Sequence, residues 1–240
     1  HDSAVATVVD WIEAHAHTRY RINGEVSIVD AEGIVAATFR QHTSRALDPQ
    51  LHTHIVIANR VRSPDGRWLA LDARSLKMDQ RTLSAIYHAT LRSPLTARLG
   101  VEWELVVNGI AEIAHGPQPV LDEFSARTAL VQRRIDEKLD RFIDTFDRDP
   151  TPRERWRLER EAVIDSRPPK SHDVNADSLH RDWTQRAEEL GHTPERLVRR
   201  ATGRERGRDL DMPTVDRMID QAMRSLAEKQ SSWRPAELTR

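Results

Sequence analysis

Gln41-His42-Thr43-Ser44-Arg45-Ala46-Leu47-Asp48-Pro49-Gln50-Leu51-His52-Thr53-His54, running into Ile55-Val56-Ile57-Ala58, is the stretch on which the fold and the function turn. The apolar end of this run is β-prone. His52 and His54 lie two residues apart, so they project from one face of a strand. Two imidazoles held side by side can grip a divalent cation, although spacing alone is equally met by surface histidines. The polar loop before them carries a third imidazole, His42. A tight connection at Asp48-Pro49 brings that part of the chain back beside the pair.

Working outward, residues 2–16 repeat Ala4, Val8 and Ile12 at helical spacing. Residues 25–29 and 34–39 alternate as strands around an Asp30-Ala31-Glu32-Gly33 turn, while Arg19-Tyr20-Arg21-Ile22-Asn23-Gly24 reads as turn-rich. Residues 52–61 give the next strand. Ser63-Pro64-Asp65-Gly66 turns it back through 67–71, so that 25–71 predicts a four-stranded antiparallel array. A helix over 79–98 follows, which Pro94 is expected to kink or end. Residues 101–107 and 110–114 read as a hairpin. From Pro119 the period is helical, with Val131, Ile135, Leu139, Phe142 and Phe146 on one face. Thr151, Pro152 and Glu154 form the start signal of another helix, and shorter helices are expected over 176–190, 194–201 and 213–229. The class is α+β: an antiparallel sheet with helices on one face, followed by a mostly helical C-terminal region. The organisation expected is a core with the histidine motif over 1–118, a helical part with a basic linker over 119–172, and a helical segment over 173–240.

Composition sets bounds. With no cysteine, disulfides and thiolate zinc sites are excluded, leaving nitrogen and oxygen as metal donors. No apolar run reaches membrane-spanning length. The net charge of −1 gives no global nucleic-acid signature. Residues 37–75 nevertheless hold six arginines against three aspartates, and phosphate contacts need local charge. Trp68 and Trp103 could stack bases, but their strand positions favour core packing. No Gly-x-x-x-x-Gly-Lys-Ser/Thr loop occurs, so no ATPase is assigned.

The string Thr43-Ser44-Arg45-Ala46-Leu47-Asp48-Pro49-Gln50-Leu51-His52-Thr53-His54 resembles the histidine motif of the TrwC/TraI-type conjugative relaxases. Asn59, Asp65-Gly66-Arg67-Trp68, Leu71-Asp72, Tyr87, Leu99-Gly100-Val101, Glu123-Phe124-Ser125 and Asp165-Ser166-Arg167-Pro168-Pro169-Lys170 follow in that family's order, and the resemblance covers roughly residues 1–190. It implies a metal-dependent DNA strand transferase in the bacterial cytoplasm, acting on single-stranded DNA at a transfer origin, with accessory conjugation proteins as further partners. The ion implied is Mg2+ or Mn2+, with Zn2+ the alternative. His52 and His54 match the family's paired ligands. The family's third histidine falls at Gln41, with His42 one residue later; on a regular strand His42 would point to the other face unless a bulge re-aims it. His42 is favoured on ligand chemistry and Gln41 is the alternative. Arg45 reads as a phosphate clamp or as an ion-pair partner of Asp48, and Arg167 and Lys170 as DNA-backbone contacts or as a solvated loop.

The nucleophilic tyrosines of such relaxases lie in a region preceding this helix, and neither Tyr20 nor Tyr87 matches them. Residues 225–238 resemble the segment that opens the helicase part of the longer family members. The expectation is therefore an internal relaxase segment, or the product of a degraded gene, that does not cut DNA alone. The competing expectation is a non-catalytic remnant that binds single-stranded DNA or a partner. A cation site on an unrelated hydrolase has no serine or carboxylate constellation behind it.

Overall fold

A computed structural model describes residues 1–22, 24–168, 175–203 and 212–228. Its contacts divide the chain into two units. The first comprises His1–Arg40, Thr53–His115 and the segment from Arg199 onward; the second comprises Gln41–His52 and Gly116–Val198.

In the first unit, α1 (Asp2–Ala14) buries Ala4, Val8 and Ile12, the stripe its spacing predicts. That stripe packs on α3 (Gln80–Leu99), which follows the short α2 (Ala73–Met78). α3 continues through Pro94 and ends at Gly100 in the left-handed region, so the helix does not end at the proline. The missing proline N–H costs about 3 kcal/mol, and packing along α1 outweighs it.

The predicted four-stranded array is corrected: among the described residues the strands form three separate antiparallel pairs. β1 (His17–Ile22) pairs with β2 (Glu25–Asp30), β3 (Ala36–Thr43) with β4 (Pro49–Ile57), and β5 (Val61–Arg62) with β6 (Trp68–Leu69). β2 does not pair with β3. The chain after β2 instead ties to other elements, Ala31 N–H donating to Ala16 O and Glu32 N–H to Arg62 O, both at 2.8 Å.

β1 is the strand that the sequence reading took for a turn. Its Thr18 is fully buried, donates to Ala70 O at 2.8 Å and bridges Leu71. Arg19 donates to Asp72 at 2.7 Å, and Asp72 caps α2 by accepting from Arg74 N–H. Burial pushes the Asp72 carboxyl up, but Arg19 and the Arg74 N–H pull it down further, and the net shift is downward. Ala16, Val61 and Leu71 form the core beneath these strands, with Ile34, Ile57 and Leu76 packed on it. The expected hairpin over 101–114 is reduced to bridges between Trp103 and Ile113 and between Val107 and Ile110.

The second unit is helical. α4 (Gln118–Glu123) and α5 (Ala126–Phe146) replace the single long helix expected there, and α5 packs on α6 (Pro152–Asp165) through Phe142 and Ala162. The start signal of α6 is a complete capping box: Thr151 N–H donates to Glu154 Oε2 at 2.9 Å and Glu154 N–H donates to Thr151 Oγ1. α7 (Ala176–Glu189) and α8 (Pro194–Ala201) follow, while α9 (Met212–Ala227), near the expected last helix, belongs to the first unit. Among the described residues no helix is long and apolar enough to cross a membrane.

Candidate metal and nucleic-acid site

The histidine motif folds as the β3–β4 hairpin. At its tip Ser44 N–H donates to Asp48 O at 2.9 Å and Leu47 N–H donates to Ser44 O at 3.1 Å. The Ser44 hydroxyl accepts from the N–H groups of Ala46 and Asp48, and Leu47 takes a positive φ of 65° to close the turn. That backbone is costly for a branched residue, so the tip needs outside support.

Support comes from the helices of the same unit. Leu47 O accepts the Trp183 indole N–H at 2.8 Å. Asp48 is buried at 2% exposure; it accepts Ala126 N–H at the start of α5 at 3.1 Å and pairs with Arg186 at 3.3 Å. Arg186 also holds Glu123 at 2.8 Å and lies over the Phe124 ring. The ion-pair alternative for Arg45 is thereby corrected: Asp48 pairs with Arg186. Arg45 is exposed and donates to Pro168 O at 3.2 Å, which brings two of the arginine-bearing segments of the sequence reading together. Arg167 is exposed on the second of them. Lys170, with the rest of 169–174, lies outside the described residues, as does Trp233.

The ladder of the hairpin is not regular. Ser44 bonds Asp48 at the tip and Ala58 N–H donates to Val35 O at the open end, so nine steps along one strand span ten along the other. The β4 side therefore carries one residue more than the β3 side between those two bonds, and where such a residue falls decides which side chains share a face. Two side chains fix the parity. Arg40 donates to Asp2 at 2.6 Å, and Thr53 Oγ1 is bonded to His1 Nε2 at 2.8 Å, so both face the first turn of α1. Gln41 follows Arg40, and His52 and His54 flank Thr53; by strand alternation these three project from the face away from α1. His42 has the parity of Arg40. His52 is half-buried with Nδ1 3.0 Å from Gln50 O, and His54 is exposed. Among the described residues, no three His, Cys, Asp or Glu side chains converge on a common point. Gln41, His52 and His54 are the candidate donors that this parity groups together.

Both tyrosines make contacts within the first unit. Tyr20 lies in β1 under the Arg67 guanidinium, 4.7 Å from its ring centre. The Tyr87 hydroxyl is bonded to His1 Nδ1 at 2.8 Å, and burial pushes its phenol pKa up. Trp68 is exposed at 56%, which overturns its expected place in the core. Trp103 is half-buried and donates its indole N–H to Thr96 at 2.9 Å.

Sequence reasoning missed Asp48, Trp183 and Arg186 as the props of the motif loop. Asp48 and Arg186 are 138 residues apart, and neither carries a local signal of the other.

The multifunctional conjugation protein TraI of Escherichia coli is 28% identical over 246 residues, covering 95% of this chain and 13% of that protein. The conjugative relaxase TrwC, complexed with a 27-mer DNA comprising the recognition hairpin and the cleavage site, superposes with a TM-score of 0.63 at 32% identity, over 79% of this chain and 64% of that one. A copper-bound TrwC structure in complex with oriT DNA matches with the same score and identity, over 61% of its chain. The chain therefore spans under two thirds of the length of each of these three relatives. The sequence matches the TrwC relaxase family over residues 1–190, and the chain belongs to that family.

Proposed function

We propose that this chain is the metal-holding and DNA-contacting part of a conjugative relaxase. The parent protein would cut and rejoin one DNA strand at a transfer origin by tyrosine transesterification in the cytoplasm, and this segment alone would not cut. The observation that carries the reading is the parity of the hairpin: Thr53 faces α1, so His52 and His54 project together from the opposite face.

His52 and His54 would hold a divalent ion through their imidazole nitrogens, with the Gln41 amide oxygen as third donor. The strand parity puts Gln41 ahead of His42, reversing the preference drawn from ligand chemistry alone. Neutral donors leave the ion's charge undiminished. Mixed nitrogen and oxygen donors suit Mn2+ better than Mg2+, and they also admit Zn2+. Bound there, the ion supplies Lewis-acid neutralisation of a non-bridging phosphate oxygen. Arg45 and Arg167 would hold flanking phosphates of single-stranded DNA, and Lys170 extends the same segment. The exposed Trp68 offers a stacking surface for a base.

Titration of the full chain with Mn2+ tests the reading. The unaltered chain is expected to bind, with affinity falling at least tenfold in His52→Ala and in His54→Ala. Equal affinity in all three proteins, or a covalent tyrosyl–DNA adduct formed by this chain with an origin oligonucleotide, would overturn it. The replacement of a histidine by Gln41 favours a second reading, in which the chain binds single-stranded DNA or a partner and takes no part in catalysis. That reading predicts salt-sensitive oligonucleotide binding that is indifferent to Mn2+.

A further inference from the structure

The start of α1 touches both strands of the motif hairpin, on residues adjacent to every proposed donor. His1 uses both ring nitrogens: Nδ1 is 2.8 Å from the Tyr87 hydroxyl of α3, and Nε2 is 2.8 Å from Thr53 Oγ1 of β4. A neutral imidazole has one donor and one acceptor, and each hydroxyl can play either part, so the chain Tyr87–His1–Thr53 is satisfied in both tautomers. The Tyr87 ring also meets the His1 ring edge to face, with centroids 5.9 Å apart. One residue on, Asp2 binds Arg40 of β3 at 2.6 Å. Behind these contacts α1 is fixed on α3 by the buried Ala4, Val8 and Ile12.

We infer that the Tyr87–His1–Thr53 relay is a positioning brace for the metal ligands, with Thr53 its terminal residue. The inference rests on the metal reading above. Thr53 is β-branched and stiff at χ1, so tying its hydroxyl fixes the backbone between His52 and His54. The directions in which the two imidazole stems leave the strand are then set from behind. Asp2 and Arg40 do the same for the backbone that carries Gln41, more weakly because that ion pair is exposed. Outer partners of this kind typically govern metal affinity by about ten- to a hundredfold.

The test is Mn2+ titration of the full chain and of Thr53→Val, Thr53→Ser and Tyr87→Phe, with thermal unfolding of each metal-free protein alongside. Valine keeps the shape and the strand preference and removes the hydroxyl; serine keeps the hydroxyl. Thr53→Val is expected to weaken Mn2+ binding about tenfold, Thr53→Ser to restore most of the loss, and Tyr87→Phe to weaken binding a few-fold in the same direction. If the unaltered chain binds and Thr53→Val binds equally well, the brace is refuted while the metal reading stands. The brace is equally refuted if the unfolding midpoint drops but the folded variant keeps its affinity. No binding by the unaltered chain refutes both.

Discussion

Asp48→Ala strikes at the joint between the motif loop and the helices of its own unit. The carboxylate is buried and serves two donors, Ala126 N–H at the first turn of α5 and the Arg186 guanidinium. Alanine leaves the Ala126 N–H without its acceptor, at about 1–3 kcal/mol for a bond to a charged group. It also removes a negative charge from a helix N-terminus, a further 0.3–1 kcal/mol or so. Arg186 keeps Glu123 and Asp182, so its own loss stays at or below about 1 kcal/mol. The sum is about 3 kcal/mol, or about 6–12 °C in the unfolding midpoint of a domain of this size. Urea denaturation followed by tryptophan fluorescence reads it well, because Trp183 bonds the carbonyl of the neighbouring Leu47. Asp48→Asn separates the contributions: the amide still offers an oxygen to Ala126 but no charge to Arg186, and should cost about 1 kcal/mol. A cost below 1 kcal/mol for alanine, or an asparagine variant as damaged as the alanine one, would refute the account of how the loop is held.

Two further outcomes follow from other parts of the molecule. The Glu154 carboxyl is held at about 2, against an ordinary 4.5, by hydrogen bonds from Arg148 first and Thr151 next. Its contribution to stability is therefore complete above pH 4.5 or so and is lost as pH falls through about 2. The midpoint deficit of Glu154→Gln measured at pH 7 should shrink towards zero near pH 2; a deficit constant across that range would contradict the assignment. Arg45→Ala should weaken single-stranded oligonucleotide binding and lower the slope of log affinity against log salt by about 1, whereas an unchanged slope would show that its guanidinium meets no phosphate.

The sequence revealed what is local. α1 was readable from Ala4, Val8 and Ile12, and α6 from its capping box, because the signal and the partner lie within one or two turns. The hairpin was readable because Asp48-Pro49 sits between two β-prone runs. β1 was lost because Arg19 and Arg21 look like loop residues, while the fact that makes Thr18 a core position is a bond to Ala70, 52 residues away. Strand partners were misassigned for the same reason: 25–29 and 34–39 are joined by a turn and were paired with each other, yet β2 pairs backward with β1. Trp68 is a core candidate by its strand position, but β6 is a two-residue strand and leaves the ring in solvent.

The third ligand shows where the local reading stops. From composition His42 is the better donor, and no pattern within the motif argues against it. The deciding facts are a one-residue mismatch between two strands and two side-chain contacts to a helix some 40 to 50 residues earlier in the chain. With a side-chain period of two, one residue of slip moves an imidazole to the other face of the strand. His42 has the parity of Arg40, on the side that meets α1. The position that shares the face of His52 and His54 holds an amide. An amide oxygen is a weaker ligand than imidazole for borderline ions but an acceptable one for harder ones. On the proposed metal reading, affinity comes from the two imidazoles and from how rigidly they are presented. On the proposed reading that places the burden on Thr53, His1 and Tyr87, which touch no ion themselves, and makes the stiffness of β4 the property to measure.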